Sequence, residues 1–439
     1  MNRRSMYLSG LAGSLVLAFA ACSATTDSNN DFDEPQGPTG PGSGGAATTG
    51  ATTSTGDGGF NPTTTGSSTG TTGSTCDNPP DADGDGDGWT ELEGDCNNCD
   101  PNVNPGAVEV TVTEPDGDGG IPEPSDEDCD MQIDEDDAAC DMGLGLDDVN
   151  PMSGAKAIDL CQTATPGDKK WGVLAANYVR ADGVVTNPGL QAGLLDSFGP
   201  NVNVQKGERM LGVSSGYARL PGQSGACDGY SCSQVGGGTP PNGFPQDVPG
   251  CEGETEINDD VALEVQLRAP TNATGYKFFF KFYSFEFPEY VCTAFNDQFI
   301  ALVNPAPVGA INGNVSFDSN SNPVSVNIAF FDACDPAGIG NYASVCGGCQ
   351  TPPNPYCPSG TAQLQGNGFD GSWFQDAGGT SWLQTTAPIL PGEEFSVRFT
   401  IWDTGDSSWD STALVDGFQW IANGGTTVVV GTDPIPDPR

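Results

Sequence analysis

The sequence contains no histidine and only 14 lysine and arginine residues, against 59 aspartate and glutamate residues, so its formal net charge is -45 at pH 7. No basic residue stands between Arg4 and Lys156. Without histidine the chain lacks the usual base of serine and cysteine hydrolases and a common ligand of zinc and copper. A surface this acidic repels nucleic acid and anionic lipid headgroups, so we expect no nucleic-acid partner.

The N-terminus has the pattern of an export signal. Residues 1–21 begin with two arginines, continue as a short apolar run and end in small residues before Cys22. The run is too short to be a typical membrane-spanning helix. We predict cleavage before Cys22, acylation of that cysteine and durable attachment to a membrane by more than one chain. Ser23 in the next position favours the outer membrane or cell surface; an ordinary secretory signal is the alternative.

Composition divides the rest of the chain into three parts. Residues 22–75 are rich in Gly, Thr, Ser and Pro and are predicted to be a disordered linker. Residues 76–140 are acidic and poor in large hydrophobic side chains, so this part needs disulfides or metal ions to fold. Residues 141–433 are long enough for a hydrophobic core. With Cys22 acylated, 14 of the 15 cysteines remain for disulfides in an oxidising compartment.

Hydrophobic side chains alternate with polar ones in several stretches of the last part, as in half-buried β-strands. The predicted strands are 261–267, 276–287, 324–330, 396–402 and 426–430. Two stretches, 156–162 and 189–198, are the best candidates for helices. The predicted fold class is mostly β, an antiparallel sandwich or jelly-roll-like head preceded by a small acidic segment that disulfides and calcium stabilise.

The acidic segment opens with aspartates separated by single small residues, from Asp81 to Asp87, followed by Glu91 and Asp95. Glycine lets the chain turn tightly, so that alternate carboxylates meet at one point, and Ca²⁺ takes six to eight such oxygen ligands. Gly94 stands where a helical EF-hand would have its closing glutamate, so a short extracellular type of calcium loop is predicted. The predicted ligands are Asp81, Asp83, Asp85, Asp87, Glu91, Asp95, Asp126, Asp128, Asp130 and Asp134. The alternative is a disordered acidic linker, which the interspersed cysteines disfavour.

Three short stretches follow one another in a fixed order in this segment. They are Asp-Gly-Asp-Gly-Asp-Gly-Trp-Thr-x-x-Glu-Gly-Asp-Cys (83–96), Asp-Pro-x-Val-Asn-Pro-Gly-Ala-x-Glu (100–109) and Asp-Glu-Asp-Cys-Asp-x-x-Ile-Asp-Glu (126–135). Over 81–135 they resemble the repeats of the MopE-related metal-binding family of secreted bacterial proteins. Cys99 in place of a later cysteine, and an insertion at 115–124, depart from the family pattern. Copper is associated with the family's name, but without histidine calcium is the expected ion.

Three stretches of the large part carry a second resemblance. They are 207–218 with its Ser-Ser-Gly turn, 285–299 with Phe-Pro-Glu-Tyr and Phe-Asn-Asp-x-Phe, and 399–414 with three spaced aspartates. Together, over 145–422, they resemble the choice-of-anchor L family of extracellular domains, which occur with diverse surface anchors. The resemblance implies location and architecture rather than a chemical activity, and a lipid on Cys22 is consistent with it.

The aspartates of the last two stretches predict a second metal site. Three of them follow a strand on one turn, and the fourth follows a neighbouring pair of glutamates. If the two loops meet, the predicted ligands are Asp297, Asp403, Asp406 and Asp410. The alternative is turn chemistry, in which Asp and Ser side chains bond to nearby backbone.

The sequence matches known catalytic motifs only weakly. The stretch 212–216 spells the Gly-x-Ser-x-Gly of a nucleophile elbow, but the base it needs is missing from a chain without histidine. Glu286 and Glu289 could form the carboxylate pair of a glycoside hydrolase. We therefore predict a non-enzymatic cell-surface lipoprotein with a calcium-stabilised head for adhesion or for binding a glycan, matrix or surface-protein ligand. A glycoside hydrolase and a purely structural envelope protein are the alternatives.

The C-terminal cysteines allow two interpretations. Cys346 and Cys349, with Cys334 and Cys357, have the spacing of a zinc knuckle. Outside the cytoplasm disulfides are the expected use of these cysteines. Cys227 and Cys232 are expected to close a local loop.

Overall fold

A computed structural model of the chain describes residues 78–111, 124–135, 138–232, 235–327, 330–335, 357–371, 377–422 and 427–435. The predicted signal, Cys22 and the linker to residue 75 lie outside these residues, as do Cys346 and Cys349. The described residues form two antiparallel β-sheets with very little helix, so the predicted mostly β, antiparallel class is confirmed, while calcium in the acidic segment stays a prediction. None of the described helices has the length and hydrophobicity needed to cross a bilayer.

Sheet A has five strands among the described residues. In spatial order they are β1 (Gly172–Val179), β4 (Ile257–Arg268), β11 (Glu394–Thr404), β6 (Gln298–Asn304) and β7 (Val324–Ser325). Sheet B has eight. Six of them are, in order, β13 (Gly431–Pro434), β10 (Leu383–Pro388), β5 (Gly275–Ser284), β12 (Ser411–Ile421), β3 (Met210–Ser214) and β2 (Ala192–Leu195); β8 (Phe331–Cys334) pairs with β9 (Gly378–Thr380), and β9 pairs with the end of β5.

The core lies between the sheets, where the alternation seen in the sequence places the large side chains. Phe278 and Phe280 of β5 meet Phe399 of β11 and Phe299 of β6, each pair with ring centroids 5.0 Å apart. The other face of β5 is also covered. Lys281 is fully buried there, with its ammonium 5.8 Å from the ring centroids of Tyr283 and Trp382. Alternation thus predicts the faces of the strand, whereas the covering of the outer face comes from later segments.

Several predicted elements need correction. The short helix α1 spans Pro151–Lys156, with Asn150 capping the N–H of Met152, and so ends where the predicted helix 156–162 was to begin. The predicted helix 189–198 is a single 3₁₀ turn followed by strand β2. Its apolar residues have helical spacing, but pairing of β2 with β3 decides the conformation.

Two predicted strands also differ from the structure. The stretch 324–330 forms only the two-residue strand β7, and the next strand, β8, starts at Phe331. Residues 427–430 of the predicted strand 426–430 are not in a strand, and β13 begins at Gly431. The strands predicted at 261–267, 276–287 and 396–402 correspond to β4, β5 and β11.

Five disulfides join described cysteines: Cys96–Cys129, Cys140–Cys161, Cys227–Cys232, Cys251–Cys292 and Cys334–Cys357. The local loop predicted for Cys227 and Cys232 is confirmed. The pairing of Cys334 with Cys357 contradicts the zinc knuckle, because an oxidised sulfur is no thiolate ligand.

The acidic segment packs directly on the β-structure. We call its described residues, 78–111 and 124–135, the collar, and residues 138–435 the head. Backbone of the collar from Gly106 to Val108 exchanges hydrogen bonds with Thr271 and Asn272, in the turn between β4 and β5. Trp171 of the head donates its indole N–H to the Ala107 carbonyl at 2.8 Å.

Candidate metal centres

The first acidic loop is shaped by its own aspartates. The two carboxylate oxygens of Asp83 accept the N–H groups of Gly86 at 2.6 Å and Gly88 at 3.0 Å. Both glycines have positive φ, +88° and +93°, a conformation in which other residues are strained. Asp85 and Asp87 each cap the N–H two residues on, at 3.2 and 2.7 Å. Local sequence alone therefore bends the chain around one point.

Carboxylate oxygens of Asp83, Asp85 and Asp87 converge there to within 4.8 Å of one another. Asp95 is 5% exposed and close enough to Asp85 for their charges to interact. Asp85, Asp87 and Asp95 each have one buried oxygen without a hydrogen-bond partner. The pKa of Asp87 is raised to about 6, mainly by burial and in part by the charges of Asp85 and Asp95. The hydrogen bond from the Trp89 N–H lowers it. Burial also raises the pKa values of Asp85 and Asp95. Four neighbouring acids, three of them with an unpartnered oxygen, form a site suited to a hard cation.

A second acidic cluster forms around Glu109. Its carboxylate accepts the N–H groups of Glu127, Asp128 and Asp134, at 2.9, 3.0 and 2.9 Å. Three overlapping trios of carboxylates converge within 4.8 Å here: Glu109–Asp126–Asp128, Glu109–Glu127–Asp134 and Asp128–Asp130–Glu135. Burial raises the pKa values of Glu109 and Asp128, and neighbouring acids add to both shifts.

Most predicted collar ligands belong to one of these clusters. Asp83, Asp85, Asp87 and Asp95 meet in the first, and Asp126, Asp128, Asp130 and Asp134 meet in the second. Asp81 and Glu91 are exposed and lie outside the converging trios. Glu109, Glu127 and Glu135 were not among the predicted ligands. Glu109 is the last residue of the second stretch of the family pattern, and this position could have identified it as a ligand. Disulfide Cys96–Cys129 joins the two loops.

A cavity of about 190 Å³ lies where the collar meets the head. Its collar wall carries Glu109, Asp128 and Glu135 of the second cluster. Its head wall carries Trp171 and Trp420. The cavity thus combines aromatic side chains with oxygens able to hold a cation, as ligand sites often do.

The head has a buried acidic cluster at one end of its two sheets. We call Asp259, Glu286, Asp297, Asp403 and Asp410 the head cluster; each is between 0% and 4% exposed. Two loops that carry the chain from one sheet to the other bring most of them together. The loop from β5 to β6 holds Glu286 and Asp297, and Asp403 and Asp410 flank the loop from β11 to β12.

Neighbouring hydroxyl and backbone groups satisfy only part of this cluster. Asp297 accepts the Thr404 N–H at 3.0 Å and the Ser411 hydroxyl at 2.6 Å. Asp410 accepts the Cys232 N–H at 2.8 Å through one oxygen, and its other oxygen is buried without a hydrogen-bond partner. Neither oxygen of Asp403 has a partner, although Ser215 and Asp297 lie beside it.

Burial raises the pKa of every member of this cluster whose shift is resolved. It raises the pKa of Asp297 to about 7, against the Ser411 hydroxyl and the Thr404 N–H. It raises the pKa of Asp410 to about 8, and the charges of Asp297 and Asp259 add to the shift. The pKa values of Glu286 and Asp403 are raised well above the ordinary range by burial and then by the charge of Asp297.

The structure therefore brings together a different set of residues from the one predicted for the second site. Asp297, Asp403 and Asp410 come together, but Asp406 is exposed on the loop and acts on them only through its charge. Glu286 and Asp259 join instead. Asp259 was missed because it lies in a β-bulge, where Asp259 and Asp260 together face the single residue Trp402, and a bulge has no signal in strand alternation.

The candidate catalytic motifs have structural explanations. Ser214 and Ser215 of the 212–216 stretch bond to the backbone carbonyl of Ser411. A Cβ on Gly216 would stand 1.9 Å from an oxygen of Asp410, so only glycine fits at this approach. Glu286 is 2% exposed and accepts the Asp297 N–H, so it is far from the open position that a glycosidase acid needs.

Comparison with known proteins gives a family match for the part of the chain that contains all five residues of this cluster. No curated protein matches the chain. Residues 246–418 match the family described as the choice-of-anchor L domain. The match includes the stretches 285–299 and 399–414, and leaves the third, 207–218, outside. Domains of this kind are typical of the cell surface, which agrees with an exported chain. The chain is therefore similar to the choice-of-anchor L domain over residues 246–418, and this similarity suggests a cell-surface protein.

Proposed function

We propose that the protein is a lipid-anchored surface protein whose collar binds calcium and thereby forms one wall of a ligand-binding cleft on the head. In this proposal Cys22 carries the lipid and residues 23–75 act as the tether. The observation that carries the proposal is the convergence of collar carboxylates into two clusters, one of which lines the cleft.

The chemistry of these clusters favours calcium over other metals. All candidate ligands are carboxylate or backbone oxygens, and calcium accepts six to eight oxygens in flexible geometry. Zinc and copper sites use histidine or cysteine thiolates; the sequence has no histidine, and the collar cysteines Cys96, Cys99 and Cys129 are all oxidised. Magnesium demands stricter octahedral geometry and keeps several waters, which loops built from adjacent aspartates suit less well.

Calcium would also stabilise the fold of the collar. Ten of its acidic side chains meet in converging trios, and like charges at this distance repel one another. Among the described residues, an ion pair of the collar joins Lys169 to Glu93 at 2.7 Å, outside both clusters, and Lys206 lines the cavity beside the second cluster. A bound cation at each cluster removes the repulsion and fixes the loops.

The cleft favours a ligand with hydroxyl groups, and a glycan is our first choice. An aromatic wall offers Trp420 for contact with sugar rings, and calcium at Asp128 or Glu135 could take ligand hydroxyls as additional oxygens. A matrix or surface protein bound through an acidic side chain would use the same features. Burial of Glu286 argues against the alternative of a glycoside hydrolase.

Calcium titration of the full-length chain, followed by calorimetry, tests the first half of the proposal. We expect at least two calcium ions per chain, with Asp85→Asn removing one and Glu109→Gln another. Asp433→Asn, at an exposed aspartate of β13, is the matched control and should bind as the wild type does. Unchanged stoichiometry in both collar variants would contradict calcium binding by the collar.

A glycan array read in calcium and in chelator tests the second half. We expect binding that requires calcium and that Glu109→Gln weakens while Asp85→Asn, remote from the cleft, preserves it. Release of reducing sugar would instead establish an enzyme. Calcium binding without any glycan, matrix or surface-protein ligand would restrict the collar to a structural role.

A further inference from the structure

The head cluster contains more buried negative charge than its surroundings compensate. Among the described residues, none of the ion pairs within 4.0 Å involves Asp259, Glu286, Asp297, Asp403 or Asp410. The neighbouring carboxylate Asp260 shows the contrast, because Arg180 pairs with it at 2.6 Å. Removing a carboxylate from water without a counter-charge is strongly unfavourable.

We propose that the head cluster holds one hard divalent cation, with calcium as the expected ion, between the two loops that connect the sheets. The site is separate from the collar clusters and does not depend on the function proposed for them. Asp403 and Asp410 supply the observation that points to a ligand. Both are at least nine-tenths buried, and together they present three carboxylate oxygens without hydrogen-bond partners.

The unpartnered oxygens are also those that can move toward a cation. The carboxylates of the head cluster do not converge by themselves within 4.8 Å; the trio that does so contains Asp410 with Cys227 and Cys232, whose sulfurs form a disulfide. A cation would draw Asp403 and Asp410 toward Asp297. Rotation of the Asp403 side chain breaks no hydrogen bond, because neither of its oxygens has a partner, whereas Asp410 is held through Oδ2 by the Cys232 N–H.

The local chain is built to bring these carboxylates together. The β-bulge between β4 and β11 places Asp259 beside the end of β11, where Asp403 lies. Gly216 lacks the side chain that would collide with Asp410. Ser411 links Asp297 to the start of β12, so one hydroxyl fixes the two loops relative to each other.

The donor set selects the class of cation. The side chains of the cluster and the hydroxyl groups beside it offer oxygen: five carboxylates and the hydroxyls of Ser215 and Ser411. The nearest sulfurs, of Cys227 and Cys232, are oxidised. Such a set binds calcium in preference to zinc or copper.

Terbium luminescence of the full-length chain provides a direct test. Trp402 and Trp409 directly precede Asp403 and Asp410 in the sequence and can sensitise a lanthanide bound in the head, while Trp89 can do so in the collar. In a variant with Asp85→Asn and Glu109→Gln, we expect a remaining terbium signal that calcium displaces. Adding Asp403→Asn should lower that affinity by about tenfold or more, because it removes a charged ligand.

Asp416→Asn is the matched control. Asp416 is as buried as Asp403, but backbone N–H groups of Gln205 and Gly417 bond to its oxygens at 2.6 and 2.7 Å. It should leave terbium binding unchanged. If Asp403→Asn does not fold, Asp410→Asn replaces it, with the same expected loss.

The outcomes separate the two proposals. Loss of all terbium binding in the collar double variant would overturn the head site and leave the collar proposal intact. Retained binding that Asp403→Asn and Asp410→Asn do not weaken would also overturn it, and would mean that protons alone neutralise the cluster. Unchanged calcium binding by the collar variants, with loss in Asp403→Asn, would support the head site alone.

Discussion

The collar and the head cluster both bring several negatively charged carboxylates close together, but different parts of the structure hold those carboxylates in place. Collar aspartates bond to N–H groups two to five residues away and lie partly in solvent. Head-cluster carboxylates come from segments up to 151 residues apart, Asp259 to Asp410, and are almost fully buried. The comparison teaches that a local acidic motif can be read from spacing, whereas a buried cluster depends on the fold that assembles it.

Among the changes considered, removing the disulfide between the collar loops should cause the largest loss of stability. Replacing Cys96 and Cys129 by serine removes a link between positions 33 residues apart, so we expect a loss of about 3–4 kcal/mol in collar stability. The same change at Cys227 and Cys232, 5 residues apart, should cost about 2 kcal/mol. Limited proteolysis within 112–123 measures collar opening. Equal cleavage of wild type and collar variant would contradict the prediction.

Loss of calcium from a single site should come next in size. With free calcium at about 100 times the dissociation constant, each occupied site contributes about 2.7 kcal/mol, all of which chelator removes. Thermal unfolding in calcium and in chelator, followed separately by collar proteolysis and by tryptophan fluorescence of the head, gives both contributions. We expect collar protection to be lost first. Identical unfolding curves in the two conditions would rule out calcium stabilisation.

Two matched glycine substitutions sharpen the comparison further. Gly86 in the first collar loop and Gly143 outside both clusters have φ of +88° and +74°, with open space around the Cβ position. Alanine at either position should cost about 1–2 kcal/mol of strain. Only Gly86→Ala should weaken calcium binding, as calorimetry can show. An equal effect of both substitutions on calcium affinity would contradict a role for this turn in the site.

The smallest expected effect concerns a carboxylate outside all of these clusters. Burial raises the pKa of Asp159 to about 6, with Lys206 opposing and Asp141 adding to the shift. The folded state therefore binds more protons than the unfolded state, and stability falls as pH rises from the unfolded pKa through 6. After allowance for solvent screening, Asp159→Asn should gain about 1 kcal/mol at pH 8 and almost nothing at pH 4.

Urea unfolding at both pH values, in chelator, checks this prediction. Asparagine tolerates the positive φ of 67° at this position, so backbone strain should not obscure the result. A stability difference between variant and wild type that is the same at both pH values would show that Asp159 does not titrate in this range.

Sequence alone predicts those parts of the molecule whose signal is local. Alternation predicts β4, β5 and β11, and the spacing of the acidic residues predicts seven of the ten carboxylates in the converging trios of the collar. Sequence also places three of the five head-cluster acids in one site. The other features depend on tertiary contacts that the sequence does not show. The apolar residues of β2 have helical spacing, but pairing with β3 makes the segment a strand. Asp259 faces the cluster because it lies in a β-bulge.

The contact between the collar and the β4–β5 turn has a mechanical consequence. β4 belongs to sheet A and β5 to sheet B, and the backbone of Gly106 and Val108 is bonded to the turn that joins them. A pulling force applied to the chain before residue 78 would reach this joint along the backbone that leads to Gly106, and the crosslink Cys96–Cys129 would carry part of it to the second collar loop. Both sheets would then share the load from their common corner, so that no single edge strand is peeled away first.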